Sequence, residues 1–184
     1  YKHDLHTNVF VSYARGYKAG GANQQPFLDK SNRPYGPEFL DNFEIGYKTV
    51  KEVYALSITG FYGFMWDQQV SISSQQDLGN PNSFYFFTGN SGKGILSGLE
   101  AELVYKPSNS FSTTSSIGLL DTYVDQFSYQ TSSGLSYGGN RESAMAPRLT
   151  GAVGVKYGVG KTYISINTSC KSSYYFSDSH DSKS

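Results

Sequence analysis

Three histidines, one cysteine and scattered carboxylates are the side chains of this sequence with the chemistry for catalysis or metal binding. His3, His6 and His180 lie near the two ends, without the close spacing that a metal ion demands of its ligands. Asp178, His180 and Asp181 form the one local group of histidine and acid, and it reads as a solvated loop in preference to a metal site. Cys170 ends the run Ile164-Ser-Ile-Asn-Thr-Ser-Cys170, which alternates like a strand, and a single cysteine cannot close an intrachain disulfide. Lys93, between Gly92 and Gly94, is only superficially like a phosphate loop, because the spacing and the following helix are missing. No catalytic residue, metal ligand or cofactor site is assigned, and the chain is not expected to be an enzyme.

Residues suited to binding are easier to find. Phe84-Tyr85-Phe86-Phe87 places four aromatics in a polar, Gly- and Ser-rich connection. They either stack on a flat or hydrophobic ligand or pack the loop onto the structure beneath it. Arg33, Tyr35 and Arg141 lie in long polar connections from which they could help to capture an anionic ligand. Glu44, Glu100 and Glu102 belong instead to alternating segments, where they share the polar side.

The elements that position these residues follow from composition and period. Of 184 residues, 15 are Lys or Arg and 15 are Asp or Glu, a balance that argues against a nucleic-acid partner and against a polybasic membrane-surface protein. The charged fraction is 16%, below the roughly 25% of soluble domains. Its place is taken by 16 Tyr, 12 Phe, 20 Gly and many small polar residues, a mixture that favours strands. No apolar stretch reaches the ~18 residues of a transmembrane helix, which leaves a membrane β-barrel open.

Alternation dominates. From Tyr54, the residues Leu56, Ile58, Gly60, Tyr62, Phe64 and Trp66 share one face, and Ser57, Thr59 and Gly63 the other. Leu99, Ala101, Leu103 and Tyr105 oppose Glu100 and Glu102; Leu149, Val153, Val155 and Tyr157 oppose Thr150 and Lys156. Short turns at Thr49 to Glu52, Pro107 to Ser110 and Gly158 to Lys161 alternate with long loops at Ala19 to Pro37, Ser74 to Asn90 and Ser128 to Pro147. Antiparallel strands with short turns at one rim and long loops at the other are the layout of an outer-membrane barrel, turns in the periplasm and loops outside. Tyr47 and Tyr54, Tyr105 and Phe111, and Tyr157 and Tyr163 flank the turns as an interfacial girdle would. Ten residues from Tyr54 to Phe64, at about 3.3 Å each and a tilt near 45°, span roughly 23 Å, close to the ~25 Å apolar band of such barrels. The expected lipid face therefore includes Leu56, Ile58, Tyr62, Phe64, Leu103, Val153 and Val155, and the lumen side Glu44, Glu100 and Glu102. In Thr162 to Cys170, Tyr163 differs in parity from Ile164 and Ile166, which leaves that strand's lipid face unassigned.

Seven strands are expected: Thr7 to Lys18, Phe39 to Lys48, Tyr54 to Ser73, Ser91 to Lys106, Phe111 to Phe127, Arg148 to Tyr157 and Thr162 to Tyr174. Continuation of the third to Ser73 predicts a wall that projects beyond the membrane. Bacterial single-chain barrels use even strand numbers, and an open sheet would leave unpaired edges that lipid cannot satisfy, so an arc of a larger barrel is expected. The sequence opens on Tyr1 without an initiator Met or a signal-like segment, which reads as part of a mature chain.

Several segments carry a more specific likeness. Asn8-Val-Phe-Val-Ser-Tyr-Ala-Arg-Gly-Tyr-Lys-Ala-Gly-Gly21, Pro37-Glu-Phe-Leu-Asp-Asn-Phe-Glu-Ile-Gly-Tyr-Lys48 and the strand ending Trp66-Asp67-Gln68-Gln69-Val70 follow one another in order, then Asn90 to Leu103, Gly118-Leu-Leu-Asp121 and Ala146-Pro147-Arg148. In order and spacing they resemble barrel strands of TonB-dependent outer-membrane receptors. The resemblance implies an all-β, antiparallel transmembrane barrel of about 22 strands around a plug domain. It further implies import of ferric siderophores or another scarce nutrient across the outer membrane of a Gram-negative bacterium, energised by the TonB complex through the plug. Residues 1–184 are then expected to be a partial barrel domain that supplies wall and extracellular loops, with the plug and the remaining strands elsewhere. Two other readings stay open: a passive porin or small barrel, and a soluble β-rich adhesion or carbohydrate-binding module.

Overall fold

β-Branched, aromatic and glycine residues in strict alternation build long strands here, and the short polar segments between them build turns. The computed structural model describes residues 2–4, 6–77, 79–80, 82–131 and 133–178. In chain order the strands are β1 (Lys2–Asp4), β2 (Thr7–Lys18), β3 (Gly21–Ala22), β4 (Pro34–Tyr35), β5 (Glu38–Val50), β6 (Tyr54–Trp66), β7 (Gln69–Gln75), β8 (Phe84–Asn90), β9 (Lys93–Tyr105), β10 (Phe111–Val124), β11 (Phe127–Thr131), β12 (Gly134–Gly138), β13 (Leu149–Val159) and β14 (Thr162–Lys171). A single turn of 3-10 helix, Lys30–Asn32, lies between β3 and β4.

One antiparallel sheet forms the wall, in the order β1-β2-β5-β6-β9-β10-β13-β14. Apart from the short β1 it consists of seven long strands, the expected number, and it is an open arc whose two edges do not meet. The remaining six strands pair as three small hairpins, β3 with β4, β7 with β8 and β11 with β12, one in each long connection. Short turns close the opposite rim: Lys51 N–H donates to the Tyr54 carbonyl, and Gly160 at φ +61° makes the tight turn before β14.

Register assigns the faces. Leu56 sits opposite Thr49 and Leu103, Ile58 opposite Tyr47 and Ala101, Tyr62 opposite Phe43 and Ser97, and Phe64 opposite Asp41 and Ile95. The same face continues through Ile117, Leu119, Val153 and Val155. Large apolar side chains along it stand exposed, from Val11 and Tyr13 on β2 to Ile164 and Ile166 on β14. A contiguous apolar face of seven strands far exceeds the few hundred Å² that a water-soluble monomer exposes. Glu44, Glu100 and Glu102 occupy the opposite, polar face with Ser57, Thr59 and Ser116.

Three expectations need correction. The strand expected over Tyr54 to Ser73 ends at Trp66, because Asp67 takes φ 53° and donates its N–H to the Gly92 carbonyl. Val70 and Ile72 then belong to a hairpin of the loop, and there is no single wall strand running on to Ser73. The strand expected over Phe111 to Phe127 likewise stops at Val124. In β14, Ile164 pairs with Tyr157 and Ile166 with Val155, so both join the apolar face. Tyr163 falls on the polar face instead, with the Lys156 ammonium 4.2 Å from its ring centroid, and drops out of the girdle. Tyr47, Tyr54, Tyr105, Phe111 and Tyr157 all lie on the apolar face.

Candidate functional site

The buried apolar cluster among the described residues lies in the long loops, not in the wall. Leu28 of the first loop, Val70, Ile72 and Phe87 of the second, Phe127 and Tyr129 of the third, and Val124 at the loop end of β10 pack into one core, with Tyr85 against it. A wall one sheet thick has no second layer to bury side chains against, so only where loops fold over one another can such a core form.

Polar side chains stitch the same loops together. Asn23 pairs edge to edge with Thr88, donating from Nδ2 to its carbonyl at 2.8 Å and accepting from its N–H at 2.9 Å. Gln25 Nε2 donates to the Phe86 carbonyl at 2.7 Å, and Asn32 Nδ2 reaches the Gln130 carbonyl at 2.9 Å. Asn90 accepts from Gly36 N–H and donates to the Asp67 carbonyl. Gln69 donates its N–H to Glu38 and its side-chain amide to the carbonyls of Ala19 and Gly36. The result is a single cap made by three loops at one rim of the wall.

Within the first loop, Asp29 accepts from the hydroxyl and the N–H of Ser31 and caps the 3-10 turn. The Ser31 hydroxyl, then its N–H, hold this carboxyl below the ordinary aspartate value. A depressed folded value means that the contact is at full strength at neutral pH and is lost only as pH falls through that value. Protection of the Ser31 amide, taken as its exchange rate relative to the unstructured rate at each pH, should therefore hold at neutral and mildly acid pH and fall only in more acid solution, as hydrogen exchange across a pH series would record.

The cap sorts the sequence-derived candidates. Phe87 is buried and meets Tyr129 edge-on at 6.2 Å between ring centroids; Tyr85 is half-buried, stacks on Phe87 at 5.9 Å and meets Phe27 at 5.6 Å. Phe84 and Phe86, of opposite parity, point outward, Phe86 at 60% exposure. The four aromatics thus divide, two into the core and two onto the surface. Arg33 donates from Nε to the Leu28 carbonyl and from its terminal nitrogen to the Pro26 carbonyl, fastening its own loop. The Tyr35 ring lies against Gly21 across the β3–β4 pair. Arg141 donates to the Ser177 carbonyl at 2.6 Å and lies 4.3 Å from the Tyr175 ring centroid, so it serves a different loop from Arg33.

On the polar face, Glu44 accepts from Ser12 at 3.3 Å and Asn42 at 2.8 Å, while Glu100 and Glu102 stand exposed. Among the described residues no three His, Cys, Asp or Glu side chains gather as a metal site, and no helix is long and apolar enough to cross a membrane. His180 and Asp181 lie outside the described residues, as does the side chain of His3. Asn23, Gln25, Asn90 and Leu28, which build the cap, carry no periodic signal by which the sequence would mark them.

An open antiparallel arc, apolar on one face and polar on the other, with turns at one rim and folded loops at the other, defines a segment of transmembrane β-barrel wall. The chain belongs to the family of TonB-dependent receptor-like β-barrels, whose family model matches residues 1–182. No curated protein matches by sequence. Among solved structures, the fold is similar to the ferric yersiniabactin uptake receptor FyuA from Yersinia pestis, with a TM-score of 0.74 at 17% identity, covering 100% of this chain and 26% of that one. It is similar also to the siderophore receptor PiuA from Acinetobacter baumannii (TM-score 0.72, 16% identity, 95% and 25% covered) and to the copper transporter OprC (0.65, 12%, 94% and 25%). The chain spans about a quarter of the length of each of these proteins.

Proposed function

We propose that this segment forms part of the wall and the exterior loops of an outer-membrane receptor that imports a ferric siderophore or a similarly scarce chelate into a Gram-negative cell. Energy comes from the TonB complex, acting through a plug domain that residues 1–184 do not supply. The observation that carries this reading is the pairing of a seven-strand apolar face with a cap of folded loops at one rim only. Leu56, Ile58, Tyr62, Phe64, Leu103, Val153 and Val155 face lipid; Glu44, Glu100 and Glu102 face the lumen. The segment assigns no catalytic residue, and its work is to hold the barrel in lipid and to present the cap. FyuA is described as a ferric yersiniabactin uptake receptor, PiuA as a siderophore receptor and OprC as a copper transporter, so the ligand rests on the cap rather than on the fold.

Within the cap, Phe86 and Phe84 offer exposed rings for a flat ligand, and Arg33, Tyr35 and Arg141 are the polar groups nearest in role to an anion's partners. Phe86→Ala in the intact receptor should weaken ligand binding by about 3- to 10-fold, the worth of one aromatic contact, with the barrel assembled as before. Unchanged affinity would remove that ring from the site. The decisive experiment on the class is uptake of radiolabelled iron chelate by iron-starved cells with and without TonB. Loss of uptake without TonB supports a receptor; uptake that persists marks a passive pore; and a protein found in the aqueous fraction without detergent is a soluble module.

A further inference from the structure

The apolar face is not apolar throughout. Near its loop-side end, a row of polar and aromatic side chains crosses four adjacent strands, β2, β5, β6 and β9. Arg15 is paired directly with Asp41, and Asp41 with Phe64; one step nearer the loops, Trp66 stands between Phe39 and Lys93. Asp41 is the hub. Its carboxylate accepts from the Tyr13 hydroxyl at 2.8 Å and from Trp66 Nε1 at 2.9 Å, and lies 3.6 Å from Arg15 Nε.

Two cations flank this hub, and both are open to the surroundings. The Arg15 side chain is 57% exposed and its guanidinium lies 5.3 Å from the Phe39 ring centroid, with Nε 3.6 Å from Asp41. Lys93 is exposed, with its ammonium 5.5 Å from the Trp66 ring centroid and no acidic partner among the described residues. Two cations against one carboxylate leave the row positive. Hydrogen bonds from Tyr13 and Trp66 fix the Asp41 carboxylate, and its ion pair with Arg15 places that cation in the row, whereas a cation meant only to stay hydrated needs no such frame. Three strand spacings separate β2 from β9, which places the two cations on the order of 14 Å apart along the sheet.

We propose that this row binds the phosphates of an outer-leaflet lipid. One phosphate meets the free edge of the Arg15 guanidinium and a second meets Lys93, while the acyl chains lie along the apolar strands below. The proposal rests on the reading above, in which this face meets lipid and the loops lie outside. The position agrees with the chemistry: aromatic side chains with polar edges gather where headgroups begin, and basic side chains there attract anionic lipid.

The test uses the intact receptor, stripped of lipid in mild detergent and titrated with diphosphorylated lipid A, with bound lipid counted by native mass spectrometry. Each cation near the surface is worth close to one factor of five, so the Arg15→Gln/Lys93→Gln double variant should bind at least about tenfold more weakly. An Arg15→Lys/Lys93→Arg variant should retain binding. Dephosphorylated lipid A should bind the unaltered receptor as weakly as the double variant binds the phosphorylated form, and excess inorganic phosphate should not displace the lipid. Equal affinity of the double variant, equal affinity for the dephosphorylated lipid, or displacement by phosphate would each overturn the proposal. Should the double variant fail to assemble, the dephosphorylated lipid decides the question on the unaltered receptor. A receptor that never reaches the outer membrane fails the broader reading instead, and fractionation of the unaltered protein separates that outcome from this one.

Discussion

An arginine at Ile58 or Val153 should prevent most of the receptor from assembling in the outer membrane. Both positions lie mid-strand on the apolar face, Ile58 between Tyr47 and Ala101 and Val153 between Ser115 and Thr168. On the lipid face a cation costs about 2–4 kcal/mol at the bilayer midplane, against about 0–1 near the interfaces. The same substitution at Leu56, two residues nearer the turn rim, should cost less. Ser57 and Thr59 are the internal control: they sit on the same strand but on the polar face, where arginine should be tolerated. The fraction of receptor with the slow, heat-modifiable mobility of a folded barrel measures the effect. Equal assembly of the Ile58 and Thr59 variants would overturn the assignment of faces.

Phe87→Ala or Ile72→Ala should dismantle the cap and leave the wall intact. Both side chains are buried in the loop core, Ile72 at 2% exposure, and they face each other across the β7–β8 hairpin. Truncation of a buried Phe or Ile costs about 2–5 kcal/mol, and a core of seven side chains has little to spare. Limited proteolysis of the intact receptor should cut all three long loops faster, including the first, which carries neither substitution. Ligand binding should fall more than for Phe86→Ala, because every contact residue in the loops loses its support. Faster cleavage confined to the second loop would show that the loops are independent.

Much of this was legible in the residues. Alternation over Tyr54 to Trp66 and over Leu99 to Tyr105 identified both strand and face, because a wall one sheet thick ties sequence parity directly to environment. The same rule misled beyond Trp66. Val70 and Ile72 keep the parity of Ile58 and Phe64, yet their apolar side meets the core of the cap, and period two cannot distinguish lipid from a protein interior. Nearness to the turn points Tyr163 toward the girdle, whereas register with Gly158 turns it to the other face. The division within Phe84 to Phe87 follows parity also, but only pairing with Ile72 reveals which two rings are inside. Asn23 and Asn90 act through contacts with Thr88 and Gly36, tens of residues away in sequence, and no local pattern encodes such a partner.

The shared core of the three loops limits how this receptor can be altered, whether by engineering or by inheritance. Leu28, Ile72 and Phe127 come from three separate connections, yet each fills space left by the others. A single loop grafted from a relative would arrive with side chains shaped to a different interior and would leave a void or a clash beneath its neighbours. The transferable module is the set of three loops with their hairpins. Exchange of that set onto another barrel is the route by which binding preference should move as one trait, because Leu28, Ile72 and Phe127 must change together to keep their common core filled.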